Sequence, residues 1–354
     1  MVAVSPSRLF TCDQLRYGVL LVHIFVGMVI QVSHYEAGGL ADAPSIRPTV
    51  FGINLGRLCD RINLGNYWSI TRNSDLQNFH LIMDKIIESF HNQGFAIIHD
   101  VLEDSCLEAL KRDCEILVNT LARRRLEEGK LTDLFADSPF ETRLIHLFEN
   151  YLDEVPTIFR SELHLEGFYL LFAHPRLLEI VEQVLGSEIR IYPNYSVRPK
   201  LPENKRTEVL WHQDAGYTSG NSEILRMVNV WTPLVPVNRR NGCMQFVPNS
   251  HRNGVVRHEQ DQYYLRIHDD DLKPIADQAI PIEINPKDIA IFSNLLFHRG
   301  LPNRSNHIRW SIDFRYQDAT QSTLRSATGH LLRSKISPEK TVRDAKHWAS
   351  LSFQ

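Results

Sequence analysis

The chain has 354 residues, of which 43% are hydrophobic and 23% charged, with 17 glycines and 17 prolines. That composition belongs to a globular protein able to bury a full core, and it excludes collagen-like and low-complexity architectures. Lys plus Arg number 39 against 42 Asp plus Glu, a net charge of −3, which excludes a broad basic surface for nucleic acid but not a local basic groove.

Gly18 to Val32 is an apolar run interrupted by His23. It is shorter than the roughly 20 residues a spanning helix needs. Arg8 and Arg16 precede it, as in the charged region of a signal peptide, but no convincing cleavage site follows. The run reads either as a signal or anchor or as an added N-terminal extension. The five cysteines, Cys12, Cys59, Cys106, Cys114 and Cys243, include no C-x-x-C pair. That excludes a zinc ribbon and a thioredoxin motif and fits a reducing compartment. The expected location is the cytoplasm, without membrane attachment.

Residues 36–75 show no sustained period and carry Gly38, Gly39, Pro44 and Pro48, so residues 1–75 are expected to form an irregular arm. Ser74 with Gln77 makes a capping box. Phe79, Ile82, Met83, Ile86, Ile87 and Phe90 then recur at helical spacing, predicting a helix that Gly94 ends. Phe95 to His99 is a short β-rich run. Leu107, Leu110, Cys114, Leu117, Val118 and Leu121 mark a second amphipathic helix. A third is expected over Pro175 to Leu185, with Pro at its start and Gly186 at its end. Beyond Gly186, short β-rich runs at 188–198, 207–215, 226–237, 243–247, 280–284, 288–293 and 307–316 alternate with turns. This texture predicts a sandwich or barrel. Residues 250–279 read as a long loop, of a length that often serves as a lid. The expected fold class is mainly β with flanking helices. One domain over 76–330 is buttressed by its N-terminal helices, and a tail, 331–354, packs on it.

The 16 histidines prompt a search for metal donors. Trp211-His212-Gln213-Asp214 closes one β-rich run. Residues two apart in a strand share a face, so His212 and Asp214 present an imidazole and a carboxylate side by side. His298 is the best third donor, because the run Asp288 to Phe297 leads into it and Gly300 follows. Two His and one carboxylate on one face of an octahedron leave three positions open, as in non-haem Fe(II) oxygenases. Catalytic zinc accepts the same donors, so these three residues alone do not name the metal.

His307 to Tyr316 (HIRWSIDFRY) alternates strictly. Arg309, Ser311, Asp313 and Arg315 point one way; Trp310, Ile312, Phe314 and Tyr316 point the other. A polar face in water is one reading. With the metal donors so close upstream, the stronger reading is an inward face lining a small-molecule pocket. Arg309 would there form a bidentate pair with a carboxylate, supported by the Ser311 hydroxyl. A dicarboxylic 2-oxo acid would chelate iron at one end and meet Arg309 at the other.

WHQDAGY, NVWTPL, NGCMQFVPNSH, the segment from NLLFHRGLPN to RWSIDFRY, and GFAIIHDVL followed by a helix resemble the successive blocks of the phytanoyl-CoA dioxygenase family. The resemblance covers about residues 76–330. It implies a double-stranded β-helix, a cupin-like jelly roll with helices packed outside. It implies Fe(II) as cofactor, 2-oxoglutarate and O2 as co-substrates, and ascorbate as an aid in vitro. By position it implies His212, Asp214 and His298 as catalytic iron ligands, with Arg309 and Ser311 at the far carboxylate of 2-oxoglutarate. Trp231 is expected near that co-substrate. Asn194, Ser196 and Arg198 share a strand face where the family often places a 2-oxoglutarate contact. Tyr217 and Gln213 are expected near substrate, and His251 is expected to be structural. The implied reaction oxidises an aliphatic C–H of a small-molecule metabolite, by hydroxylation, desaturation or ring formation, and releases succinate and CO2. Related halogenases lack the carboxylate that Asp214 supplies. Two rival readings stand beside this one. An oxidative nucleic-acid dealkylase of the same superfamily has paired arginines to which Arg309 and Arg315 are similar. A metal-binding cupin-like module without catalysis is the other. No nucleic-acid partner is expected.

Overall fold

The computed structural model describes residues 73–218 and 222–353. It also describes four two-residue strands ahead of them: Ile24–Phe25, Met28–Val29, Thr49–Val50 and Ile53–Asn54 (β1 to β4), which pair as two antiparallel ladders. The rest of the apolar run 18–32 and of the arm 36–72 lies outside the described residues, as do Cys12 and Cys59, while residues 73–75, expected in the arm, open the first helix. Whether that run is a signal, an anchor or an extension therefore also lies outside them. Among the described residues no helix is long and apolar enough to cross a membrane. The chain divides into two units, Met1–Ile82 and Met83–Gln354, and the second carries the site.

Helix α1 (Asn73–Gln93) buries Phe90 and packs Met83 and Ile86 against the core. It stops at Gly94, whose φ of +85° a side chain would resist, and a Cβ there would lie 2.5 Å from His251 Nδ1. Strand β5 (Phe95–Ile98) follows, then helices α2 (Asp104–Glu127), α3 (Arg143–Leu147), α4 (Glu166–Phe172) and α5 (Pro175–Leu185). The last has the predicted limits, with Pro175 in the first turn, where a missing N–H costs nothing, and Gly186 just past the end.

The strands that follow are β6 (Ile189–Ile191), β7 (Ser196–Lys200), β8 (Val209–His212), β9 (Met227–Pro233) and β10 (Met244–Phe246). After them come β11 (His258–Gln260), β12 (Leu265–Ile267), β13 (Ile280–Ile282), β14 (Ile289–Phe292), β15 (His298–Gly300), β16 (Arg309–Asp318) and β17 (His330–Arg333). They form a larger sheet in the order β17-β6-β16-β9-β14-β5, with β7 also on β16, and a smaller sheet in the order β13-β10-β15-β8. This is the antiparallel double-stranded β-helix with outer helices that the sequence predicts.

Alternation along the strands divides the core. Ile289 and Ile291 of β14 join the helices in one cluster, while Ala290 and Phe292 join Trp231, Phe246 and Met244 in another. On β16, Trp310, Ile312, Phe314 and Tyr316 all lie in the helix-side cluster. Burying each such side chain stabilises by about 1.5–3 kcal/mol. A one-residue slip would turn all four the wrong way, so the apolar face fixes the register. Arg309, Ser311, Asp313 and Arg315 are thereby committed to the opposite, inward face.

Three details differ from expectation. Pro193 breaks the run 188–198, and the two pieces pair with different ends of β16. The long loop 250–279 holds a hairpin, β11–β12, and a short helix α6 (Asp269–Leu272). Strand β17 starts at residue 330 and pairs with β6, so a boundary at 330 falls inside a strand. Further on, Trp348 of helix α7 (Ala345–Ser350) is fully buried, and its indole N–H donates to the Leu163 carbonyl at 2.9 Å.

Candidate metal centre and carboxylate cradle

Strands β8 and β15 are antiparallel neighbours, and their register sets His212 directly opposite His298. The two ring centroids are 4.0 Å apart. Asp214 follows at the start of a 3-10 turn, Asp214–Tyr217. One donor atom from each of His212, Asp214 and His298 lies within 4.8 Å of the others. His212 Nδ1 donates to the Leu210 carbonyl at 2.8 Å, and His298 Nδ1 donates to the Leu296 carbonyl at 2.9 Å. A carbonyl can only accept, so each ring carries its proton on Nδ1 and keeps the Nε2 lone pair for a metal. Burial, with His212 alongside, pushes the His298 imidazole down to about 3, so it is neutral and ready to ligate across the physiological range.

The carboxylate is held from two neighbouring strands. Arg315 Nη2 lies 2.7 Å from Asp214 Oδ1, Arg315 Nε donates to Oδ2 at 3.2 Å, and Asn229 Nδ2 donates to Oδ2 at 2.7 Å. Asn229 and Arg315 are cross-strand partners on β9 and β16. Burial acts to raise the Asp214 carboxyl, but the Arg315 guanidinium outweighs it and holds it well below the usual carboxylate range. Two imidazoles whose Nδ1 atoms are engaged by backbone carbonyls, and one ionised carboxylate beside their Nε2 atoms, are a donor set that fits Fe(II).

Arg309 lies further along the same inward face of β16. It is 5% exposed, its Nη1 donates to Ser311 Oγ at 2.6 Å, and its guanidinium sits 5.5 Å over the Trp231 ring. Its Nε has no partner. Burial lowers the guanidinium to about 10, which leaves it a cation at neutral pH. A buried cation with a spare N–H fits the far carboxylate of 2-oxoglutarate.

The remaining expected contacts divide. Asn194 gives its carbonyl to Arg315 Nη1 at 2.8 Å, and its buried Oδ1 has no partner. The Ser196 hydroxyl is engaged instead by Asp313, at 2.7 Å and 2.9 Å, and Arg198 Nε donates to the same carboxylate at 2.7 Å. Gln213 is fully buried and is turned away from the metal donors by strand alternation. Its Nε2 donates to the carbonyls of Gly254 and Leu295, and its Oε1 accepts from Val256 N–H. It therefore has no group to offer a substrate. Tyr217 meets His212 edge to face at 5.6 Å. His251 Nε2 donates to the His91 carbonyl at 3.1 Å, apart from the donor cluster.

Sequence reasoning missed Asn229 and the true partner of Arg315. A lone amide within the otherwise apolar MVNVWTP was the available signal for the first. The second needed the pairing of β9 with β16.

The profile of the phytanoyl-CoA dioxygenase (PhyH) family matches residues 90–311, well over half of the chain. The chain belongs to this family. The family is one of non-haem iron, 2-oxoglutarate-dependent oxygenases, and the donor set and Arg309 cradle of this chain fit both groups. It is similar to 1-deoxypentalenic acid 11-beta-hydroxylase of Streptomyces exfoliatus, with 26% identity over 169 residues, 42% of this chain and 56% of that one. The PhyH-family chain thus spans little more than half the length of that relative. It is also similar to an uncharacterised protein of Mycobacterium tuberculosis, 24% identical over 238 residues, 66% of this chain and 75% of the other. Among solved structures, the non-heme monooxygenase ThoJ shares the fold, with a TM-score of 0.52 at 17% identity over 71% of this chain and 84% of ThoJ.

Proposed function

We propose that this protein hydroxylates, or otherwise oxidises, an aliphatic C–H bond of a small-molecule metabolite, converting 2-oxoglutarate and O2 to succinate and CO2. The observation that supports it is one inward surface carrying the Nε2 atoms of His212 and His298, the Asp214 carboxylate and the Arg309 guanidinium with its unpartnered Nε. Bound iron supplies the oxygen activation, with 2-oxoglutarate as the electron donor. His212, Asp214 and His298 would hold the metal. Arg315 and Asn229 keep Asp214 ionised and oriented. Arg309 and Ser311 fix the far end of the co-substrate, with Trp231 covering the guanidinium.

The substrate enters a cavity of about 410 Å³ whose lining includes Tyr217, Gln260, Tyr263, Tyr264 and Leu265. That volume suits a small molecule. The hairpin β11–β12 contributes Gln260, Tyr263, Tyr264 and Leu265 to that lining, and Leu265 N–H donates to the Tyr217 hydroxyl at 3.0 Å. Tyr217 thus links the hairpin to the ring of His212. The catalytic domain extends from about residue 76 through strand β17, with the rest of the C-terminal segment packed on it. The buried free thiols of Cys106, Cys114 and Cys243, and the need for reduced iron, support a cytoplasmic location. A nucleic-acid substrate is disfavoured because Arg315, one of the two arginines suggesting it, is committed to Asp214.

A metabolite-pool screen with Fe(II), ascorbate and 2-oxoglutarate tests the proposal. At least one pool should raise succinate release and yield a product heavier by one oxygen atom, or lighter by two hydrogens where the oxidation is a desaturation or ring closure. Absence of succinate with every pool contradicts it. Arg309→Ala should raise the 2-oxoglutarate concentration needed for half-maximal succinate release by one to two orders of magnitude. That follows from losing charge-assisted hydrogen bonds worth about 1.5–3 kcal/mol. An unchanged requirement removes Arg309 from the site.

A further inference from the structure

We propose that Lys200 is a second cationic contact for the far carboxylate of 2-oxoglutarate, forming with Arg309 a two-cation cradle. This rests on the co-substrate assignment above and adds a residue that neither the sequence motif nor the family match marks.

Lys200 is only 2% exposed and is among the largest fully buried side chains of the protein. It closes β7, directly opposite Arg309, which opens β16. Residues so paired have Cβ atoms about 4.5–5.5 Å apart on one face of the sheet, and like charges there repel. The rest of this polar face is compensated, because Asp313 takes both the Ser196 hydroxyl and the Arg198 guanidinium. The Lys200–Arg309 pair has no such acid. Lys200 Nζ donates to the Thr207 carbonyl, Arg309 donates to Ser311, and neither forms an ion pair among the described residues.

The ammonium is also held in place. Its stem lies over Gly242, where a Cβ would come within 2.7 Å of Lys200 Cδ and 2.6 Å of the Leu301 carbonyl oxygen, at a φ of +86°. Nζ itself is 3.4 Å from the Cβ position of Gly300, two residues beyond His298 on β15. The amine therefore sits between the strand of a metal donor and the strand of Arg309. Burial first, then Arg309, push it well below the ordinary lysine range, the opposite of what a resident carboxylate partner produces. Two adjacent buried basic groups without an anion are a cost that an incoming carboxylate relieves. A purely structural lysine bracing the Thr207 turn would affect folding, but not which 2-oxo acid binds.

Calorimetric titration of the anaerobic Fe(II)-loaded protein separates these roles. The ligands are 2-oxoglutarate and 2-oxopentanoate, which share the chelating head and differ in the far carboxylate. Lys200→Met should weaken 2-oxoglutarate by about tenfold or more, as loss of a charge-assisted contact does, and leave 2-oxopentanoate within about twofold. Lys200→Gln, which keeps a donor for Thr207, should do the same. Should both variants fail to fold, amine-reactive labelling of the wild-type protein read by mass spectrometry decides. Lys200 should be protected by 2-oxoglutarate and not by 2-oxopentanoate. Equal weakening of both ligands, no weakening, or equal protection by both overturns the proposal. Failure of wild type to bind either ligand overturns the co-substrate assignment itself.

Discussion

His212→Ala loses bound iron and turnover together. The substitution removes one of three donors and leaves His298 and Asp214 too few to hold a divalent ion. Loss of a residue that merely orients a ligand already lowers metal affinity about 10–100-fold, and loss of the ligand itself goes beyond that. The ring packs against His298 and Tyr217 rather than within a large apolar cluster, so the fold should survive. Iron content after desalting and succinate release measure the two losses. Gln213→Ala is the matched control one residue away. It removes three buried backbone contacts and should cost about 1–3 kcal/mol of stability while iron affinity stays near wild type. Iron retained by His212→Ala, or lost from folded Gln213→Ala, would reverse the assignment of faces along this strand.

Arg315→Leu leaves Asp214 buried without its counter-charge. Breaking a buried ion pair by removing one partner costs about 3–5 kcal/mol, and iron affinity should drop by about 10–100-fold as the carboxylate loses its orientation. The pH dependence follows from the sign of the shift. The folded Asp214 carboxyl lies below its usual value, so its contribution to stability is fully present above an unfolded pKa of about 3.9. It is lost as pH falls through the folded pKa. In denaturant titrations of the metal-free protein, the gap between wild type and variant should narrow as pH falls from the variant's carboxyl pKa, which burial without Arg315 raises, toward the lower wild-type one. A variant as stable and as tight for iron as wild type would mean that Arg315 neither orients Asp214 nor keeps it ionised.

The fold is legible where one strand or helix carries its own pattern. The alternation of β16 declares which of its residues face inward, and Pro175 and Gly186 declare both ends of α5. What escapes depends on register between distant segments. Three residues, His298 to Gly300, are too few to show alternation, yet as β15 they bring His298 opposite His212. Strand β17 is similarly short. The partner of Arg315 cannot be read from β16 alone, because it is set by a turn after β8 and by an amide on β9. Lys200 reads as the solvated end of a strand, and its place opposite Arg309 and over Gly242 buries it. The hairpin within 250–279 is equally hidden, since Tyr263 and Tyr264 interrupt any clear alternation between its two short strands.

Diffraction from crystals loaded anaerobically with Fe(II) and 2-oxoglutarate, with anomalous data at the iron edge, locates the metal directly. A single iron ligated by His212 Nε2, His298 Nε2 and the Asp214 carboxylate, with the far carboxylate of 2-oxoglutarate against Arg309, is the predicted result. Iron bound elsewhere, or a co-substrate carboxylate away from Arg309, would contradict it.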